Sequence, residues 1–248
     1  MTAACRTKPL RGDGFTFKQF FVAHDRCAMK VGTDGVLLGA WAPVANAGRI
    51  LDIGTGTGLV ALMLAQRTAD SVAVDAVELE SAAAEQAREN FSESPWQRRL
   101  SVFAEDINHF AGHASGHYDL IVSNPPYFAS AVACRDEARN AARYTETLTH
   151  DALLDCAGRL LATTGIFCVV LPYDIGLGFE QAAQQQQWFT RARVDIRDRP
   201  GKPLNRMLLA LARQPYAQPD YQELALREEM NVYSQPFRQL IADFYLNY

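Results

Sequence analysis

The chain has 248 residues, a net charge of −4 at pH 7 and an apolar share of 48%. That length and composition suit one sizeable globular domain and exclude a disordered or low-complexity chain. No apolar stretch reaches membrane-spanning length, and the N-terminus lacks a basic-then-hydrophobic leader, so a cytoplasmic protein is expected.

Residues 1–14 read as a loose tail, and the aromatic-rich stretch 15–24 as a strand or hairpin. Thr33-Asp34 offers an N-cap for a helix over 35–41, before Pro43 and Gly48 mark a boundary. Residues 50–53 are an apolar strand that runs into Gly54, Gly56 and Gly58, with a helical pattern over 59–66. Strand, glycine turn and helix together let a backbone approach a nucleotide-like cofactor at the carboxyl end of a parallel sheet. The spacing G-x-G-x-G lacks the last glycine of the dinucleotide fingerprint, because Leu59 stands there. Asp52, two residues before the first glycine, would repel a pyrophosphate; it can orient the turn or attract a ligand's ammonium group. A strand over 72–78 follows, and Glu78 at its end can accept both hydroxyl protons of a ribose. Asp75 competes for that role from a less favourable mid-strand position. A third strand, 100–103, leads to Asp106, which can accept a hydrogen bond from an adenine amine.

Further along, His109, His113 and His117 stand four apart, as on a metal-binding helix face. Gly112 and Gly116 interrupt that pattern, so a solvated loop and no metal are expected. The five cysteines include no C-x₂-C pair and read as reduced thiols. The apolar strand 118–123 ends in Asn124-Pro125-Pro126-Tyr127. Proline fixes φ near about −65° and keeps the residue before it extended, so Asn124 is aimed. Its carboxamide oxygen and the Pro125 carbonyl can take the two protons of a planar amine, while Tyr127 stacks on the ring. A strand ending in a proline turn accounts for the same residues without a ligand. Helical patterns over 150–161 and up to 187 flank an apolar strand at 165–171. Strands at 189–196 and 207–212 follow, separated by an exposed basic loop, with a terminal amphipathic helix at 234–245. Alternating strands and helices imply an α/β fold, a parallel sheet with helices on both faces.

Taken in order, DIGTGTG, VELE, AEDI and NPPY resemble the class I S-adenosylmethionine-dependent methyltransferases that modify amino nitrogens. With Phe17-Lys18-Gln19-Phe20, the segment 29–41 and Asn205-Arg206-Met207-Leu208-Leu209, the chain is similar to the bacterial tRNA(Val) adenine-N6 methyltransferases over roughly residues 15–215. The resemblance implies a doubly wound, seven-stranded, mostly parallel Rossmann-like sheet with one reversed strand. It also implies an N-terminal tail and capping element (1–48), a catalytic domain (49–215) and a C-terminal tail or helix packed on it (216–248). The cofactor is then S-adenosylmethionine, held by Asp52, Gly54, Gly56, Gly58, Glu78 and Asp106, with Thr33 or Asp34 approaching the methionine part. Asn124, Pro125 and Tyr127 become the catalytic residues, and the substrate is an adenine next to the anticodon.

Negative net charge argues against nucleic acid, but its distribution argues for it. Arginine supplies 20 of 24 basic residues, which suits phosphate forks and base stacking. Arg135, Arg139 and Arg143 follow the tetrad, and Arg191, Arg193, Arg197, Arg199, Lys202 and Arg206 crowd a second stretch. A tRNA partner is expected, with no membrane and no obligate protein partner. The tetrad would equally grip the N2 amine of a ribosomal RNA guanine or a protein glutamine amide. A nicotinamide-dependent dehydrogenase lacks its third glycine here, and a non-catalytic RNA-binding protein has no need of the tetrad.

Overall fold

The computed structural model describes residues 13–27, 30–126 and 148–246. A small antiparallel hairpin, β1 (Gly14–Thr16) and β2 (Phe21–Ala23), precedes α1 (Thr33–Trp41). Strands and helices then alternate: β3 (Arg49–Ile53), α2 (Leu59–Gln66), β4 (Ala73–Glu78), α3 (Ser81–Ser92), β5 (Leu100–Ala104), α4 (Ile107–His113) and β6 (Tyr118–Ser123). The second half holds α5 (His150–Leu160), β7 (Leu161–Pro172), α6 (Tyr173–Gln185), β8 (Phe189–Arg197), β9 (Leu204–Ala212), β10 (Asp220–Ala225) and α7 (Gln235–Ile241).

The main sheet runs β10-β8-β9-β7-β6-β3-β4-β5. Only β9 is reversed, antiparallel to both β7 and β8, so the expected mostly parallel α/β sheet is present. Its central strands are apolar on both faces because helices cover both. Ile50, Leu120, Val122, Val170 and Leu208 pack in one layer with residues of α1, α2 and α7. Their neighbours along the same strands, Leu51, Ile121, Val169 and Leu209, pack in the other layer with α4, α5 and α6. Each such fully buried side chain contributes about 1.5–3 kcal/mol.

Four local features differ from the sequence reading. An eighth strand, β10, adds to the seven expected by pairing parallel to β8 at the sheet's edge. Four of its six residues are exposed and only Leu224 is buried, so it carries no alternation that reveals a strand. Helix α1 begins at Thr33, with Gly32 as an uncapped N-cap, rather than after a Thr33-Asp34 cap. Residues 107–113 form a helix instead of a loop: Asp106 caps it by accepting the Asn108 N–H at 2.7 Å, and Gly112 is tolerated inside it. The terminal helix stops at Ile241, earlier than the expected 245. The two ends of the described chain meet: Lys18 N–H donates to the Phe244 carbonyl at 2.8 Å, and Phe15 and Phe17 lie against Tyr245. No helix among the described residues is long and apolar enough to cross a membrane.

Candidate active site

Strand order reverses direction at β3, whose neighbours are β4 on one side and β6 on the other. Such a switch point opens a crevice at the carboxyl ends of the strands. Ile53 and Ser123 are register partners there, and the Ser123 hydroxyl donates to the Ile53 carbonyl at 2.9 Å. The glycine loop and Asn124 therefore leave the sheet side by side. Both line one cavity of about 330 Å³, which also takes in Thr33, Asp34, Asp52 and Arg206.

The three glycines do two different jobs. Gly54 and Gly56 have φ of +71° and +55°, and a Cβ on either would meet nothing within 4 Å. Both line the cavity, so they leave backbone open to a ligand. Gly58 has φ +82°, but a Cβ there would lie 2.5 Å from the Phe91 ring. Its bareness serves the packing of α3 against the loop. The loop is held from the next strand: Gly54 and Thr55 N–H donate to the Val77 carbonyl at 2.9 and 3.2 Å.

Two carboxylates are buried beside this loop. Glu78, 3% exposed, accepts the N–H groups of Gly56 at 2.8 Å and Glu80 at 2.9 Å. Burial raises its pKa against those two donors. Glu78 borders the glycine loop but lines neither of the two cavities. Asp52, 1% exposed, accepts the Thr55 hydroxyl at 2.6 Å. Burial pushes its carboxyl up to about 7, opposed by the hydrogen bonds from Thr55 and the Ala61 N–H and reinforced by Glu78. Asp106 stands apart from them, in a smaller and mostly apolar niche that it shares with Ile53, Gly54, Val77, Leu79 and Glu105. Its Oδ1 takes both the backbone and side-chain N–H of Asn108.

Asn124 follows directly on β6 and lines the cavity. Its Oδ1 is buried and has no hydrogen-bond partner among the described residues, an omission that costs about 1–3 kcal/mol unless a ligand meets it. Pro125 beside it is buried. Tyr127, Arg135, Arg139 and Arg143 lie outside the described residues.

Arg206, read from sequence as part of an exposed basic run, sits on β9 and reaches the cavity, where its Nε contacts the Asp34 carboxylate at 2.9 and 2.8 Å. Arg197 and Arg199 are ion-paired to Glu223 and Asp198 beside the β8–β9 loop, and Lys202 is exposed at its tip. Of that basic run, Arg206 alone joins the cavity. Lys30, Thr55 and Thr57 also line it and were missed. Thr55 was legible, three residues after an acidic strand residue; Lys30 was not, since nothing local ties it to the loop.

Comparisons with known proteins agree with this geometry. The family described as methyltransferase small domain matches residues 29–178. A tRNA1(Val) (adenine(37)-N6)-methyltransferase of Yersinia pestis is 64% identical over 96% of both chains, and one of Yersinia pseudotuberculosis matches equally. Among solved structures, a predicted O-methyltransferase of Agrobacterium tumefaciens superposes with a TM-score of 0.68 at 19% identity, covering 85% of this chain and 96% of that one. A ribosomal protein L11 methylase of Lactobacillus delbrueckii superposes at 0.50 and 17%, over 73% and 77%. These two share the fold. The chain belongs to the methyltransferase small-domain family and, within it, to the family of the tRNA1(Val) (adenine(37)-N6)-methyltransferases.

Proposed function

We propose that this enzyme methylates the exocyclic N6 of adenine 37 in tRNA1(Val), with S-adenosylmethionine as the donor, in the cytoplasm. The observation that carries the reading is the buried, unpartnered Oδ1 of Asn124 next to the open glycine backbone. The donor supplies an electrophilic methyl on a positively charged sulfur. Its fit rests on the open backbone of Gly54 and Gly56, on Glu78 for the ribose hydroxyls and on Asp106 for the adenine amine. Asp52 and Thr33 face the cavity where the methionine part would lie.

Asn124 Oδ1 and the Pro125 carbonyl then accept the two N6 protons. That grip favours a pyramidal nitrogen whose lone pair points at the methyl group, which is stabilisation by preorganised acceptors. Positioning supplies most of the remaining rate. The proton released from the methylated nitrogen leaves to solvent, so no strong base is required. Tyr127 stacks on the adenine, which an anticodon loop can turn out at small cost. Arg135, Arg139, Arg143, Arg197, Arg199 and Lys202 hold the RNA backbone, while Arg206, read from sequence with them, lines the cavity beside Asp34.

The test incubates the full chain with labelled S-adenosylmethionine and unmodified tRNA1(Val), then identifies the labelled nucleoside by mass. N6-methyladenosine at position 37, abolished by Asn124→Ala with cofactor affinity retained, supports the reading. Label in N2-methylguanosine or in protein glutamine overturns it.

A further inference from the structure

We propose that Glu105, His109 and His113 form a divalent transition-metal site of the zinc class on the outer lip of the sheet's carboxyl edge. The argument begins with α4. Once residues 107–113 are helical, His109 and His113 are four apart on one face, with ring centroids 4.8 Å apart. Glu105, at the end of β5, folds its carboxylate over both: Oε2 contacts His109 Nδ1 and lies 2.8 Å from His113 Nε2. The glycine interruption that argues for a loop takes effect only at Gly116, with φ +85°, which leaves His117 outside the cluster.

All three ligand atoms lie within 4.8 Å of one another. A tetrahedral ion with bonds of about 2.0–2.2 Å sets its ligand atoms roughly 3.3–3.5 Å apart, so side-chain rotations suffice. Two imidazoles and one carboxylate favour zinc, nickel or copper over magnesium or calcium, which take oxygen ligands. The histidine side chains are 74% and 51% exposed, so an ion reaches the site from solvent and water completes its coordination. His109 and His113 line neither cavity, and Glu105 borders the niche of Asp106. The site stands whether or not the neighbouring Asp106 holds an adenine.

Zinc titration calorimetry on the full chain, free of any polyhistidine tag, tests the assignment. One ion per chain is expected, undiminished by millimolar magnesium. Loss of second-sphere partners alone costs about 10- to 100-fold in metal affinity, so His109→Ala with His113→Ala should lose at least that much. Both positions are exposed, and an unchanged melting curve will show that the variant folds. Cobalt should give a spectrum without a thiolate charge-transfer band. Absence of binding, parental affinity in the double variant, or a thiolate band pointing to the cysteines each overturns the proposal.

Discussion

The Gly56 N–H donates to Glu78 Oε2 at 2.8 Å, so the end of β4 holds the glycine loop that follows β3. The other Glu78 oxygen accepts from Glu80. Glu78→Ala strands two N–H donors, at about 1–3 kcal/mol for each that stays dry. For a chain of this length each kcal/mol lowers the melting temperature by about 2–4 °C. Cofactor affinity should fall as well, and Glu78→Gln should lie between the two in both measurements. Scanning calorimetry and a cofactor titration check this; an Ala variant equal to the parent in both would remove Glu78 from the site.

Gly56 and Gly58 should separate binding from folding. Gly58→Ala drives a methyl into Phe91 at φ +82° and should destabilise the chain by about 1–3 kcal/mol. Gly56→Ala meets open space and costs only the left-handed backbone, roughly 1–2 kcal/mol. Its methyl enters the cavity instead, so cofactor affinity should fall about tenfold, or 1.4 kcal/mol. Melting and titration of the two variants read the contrast directly, and equal affinity losses would argue against it.

Much of this site was legible because its parts are local. A strand, a glycine turn and an acidic strand end are written in consecutive residues, and parallel order then brings Gly54 beside Asn124. The pairing of Arg206 with Asp34, 172 residues apart, has no local signature. It arises because β9 inserts between β7 and β8, which brings its first residues toward the start of α1. Strand β10 was hidden for another reason: an exposed edge strand has little apolar pattern to display. Helix α4 was misread because a mid-helix glycine costs only about 1 kcal/mol, which capping by Asp106 and burial of Phe110 offset.

Asp52 should make the apo protein's stability depend on pH. Its carboxyl rises from the usual 3.8 to about 7 on folding. The stability it contributes is therefore fully present below about pH 4 and is lost as pH rises through 7. That gap corresponds to on the order of 4 kcal/mol. Asp52→Asn, a neutral mimic, should match the parent at low pH and exceed it in stability at about pH 8. Affinity for a cationic cofactor should tighten in the parent as Asp52 ionises, and stay flat in the variant. Denaturant melts and titrations across pH check both; parallel profiles for the two proteins would contradict the assignment.

The β8–β9 loop gives a graded prediction for RNA. Lys202 is exposed at the loop's tip, whereas Arg197 bonds Glu223 at 2.6 Å and Arg199 bonds Asp198 at 3.1 Å. A charge already paired has less left for a phosphate. Lys202→Ala should lower the slope of log affinity against log salt by about 1, the value for one lost phosphate contact. Arg199→Ala should lower it less. Arg197→Ala should also loosen β10, costing about 0.2–1 kcal/mol of stability, the range for an ion pair at the surface. Fluorescence anisotropy with tRNA over a salt series measures the slopes. If all three variants keep the parental slope while methylation persists, the RNA lies across another face, and the arginines that follow the tetrad carry the contact.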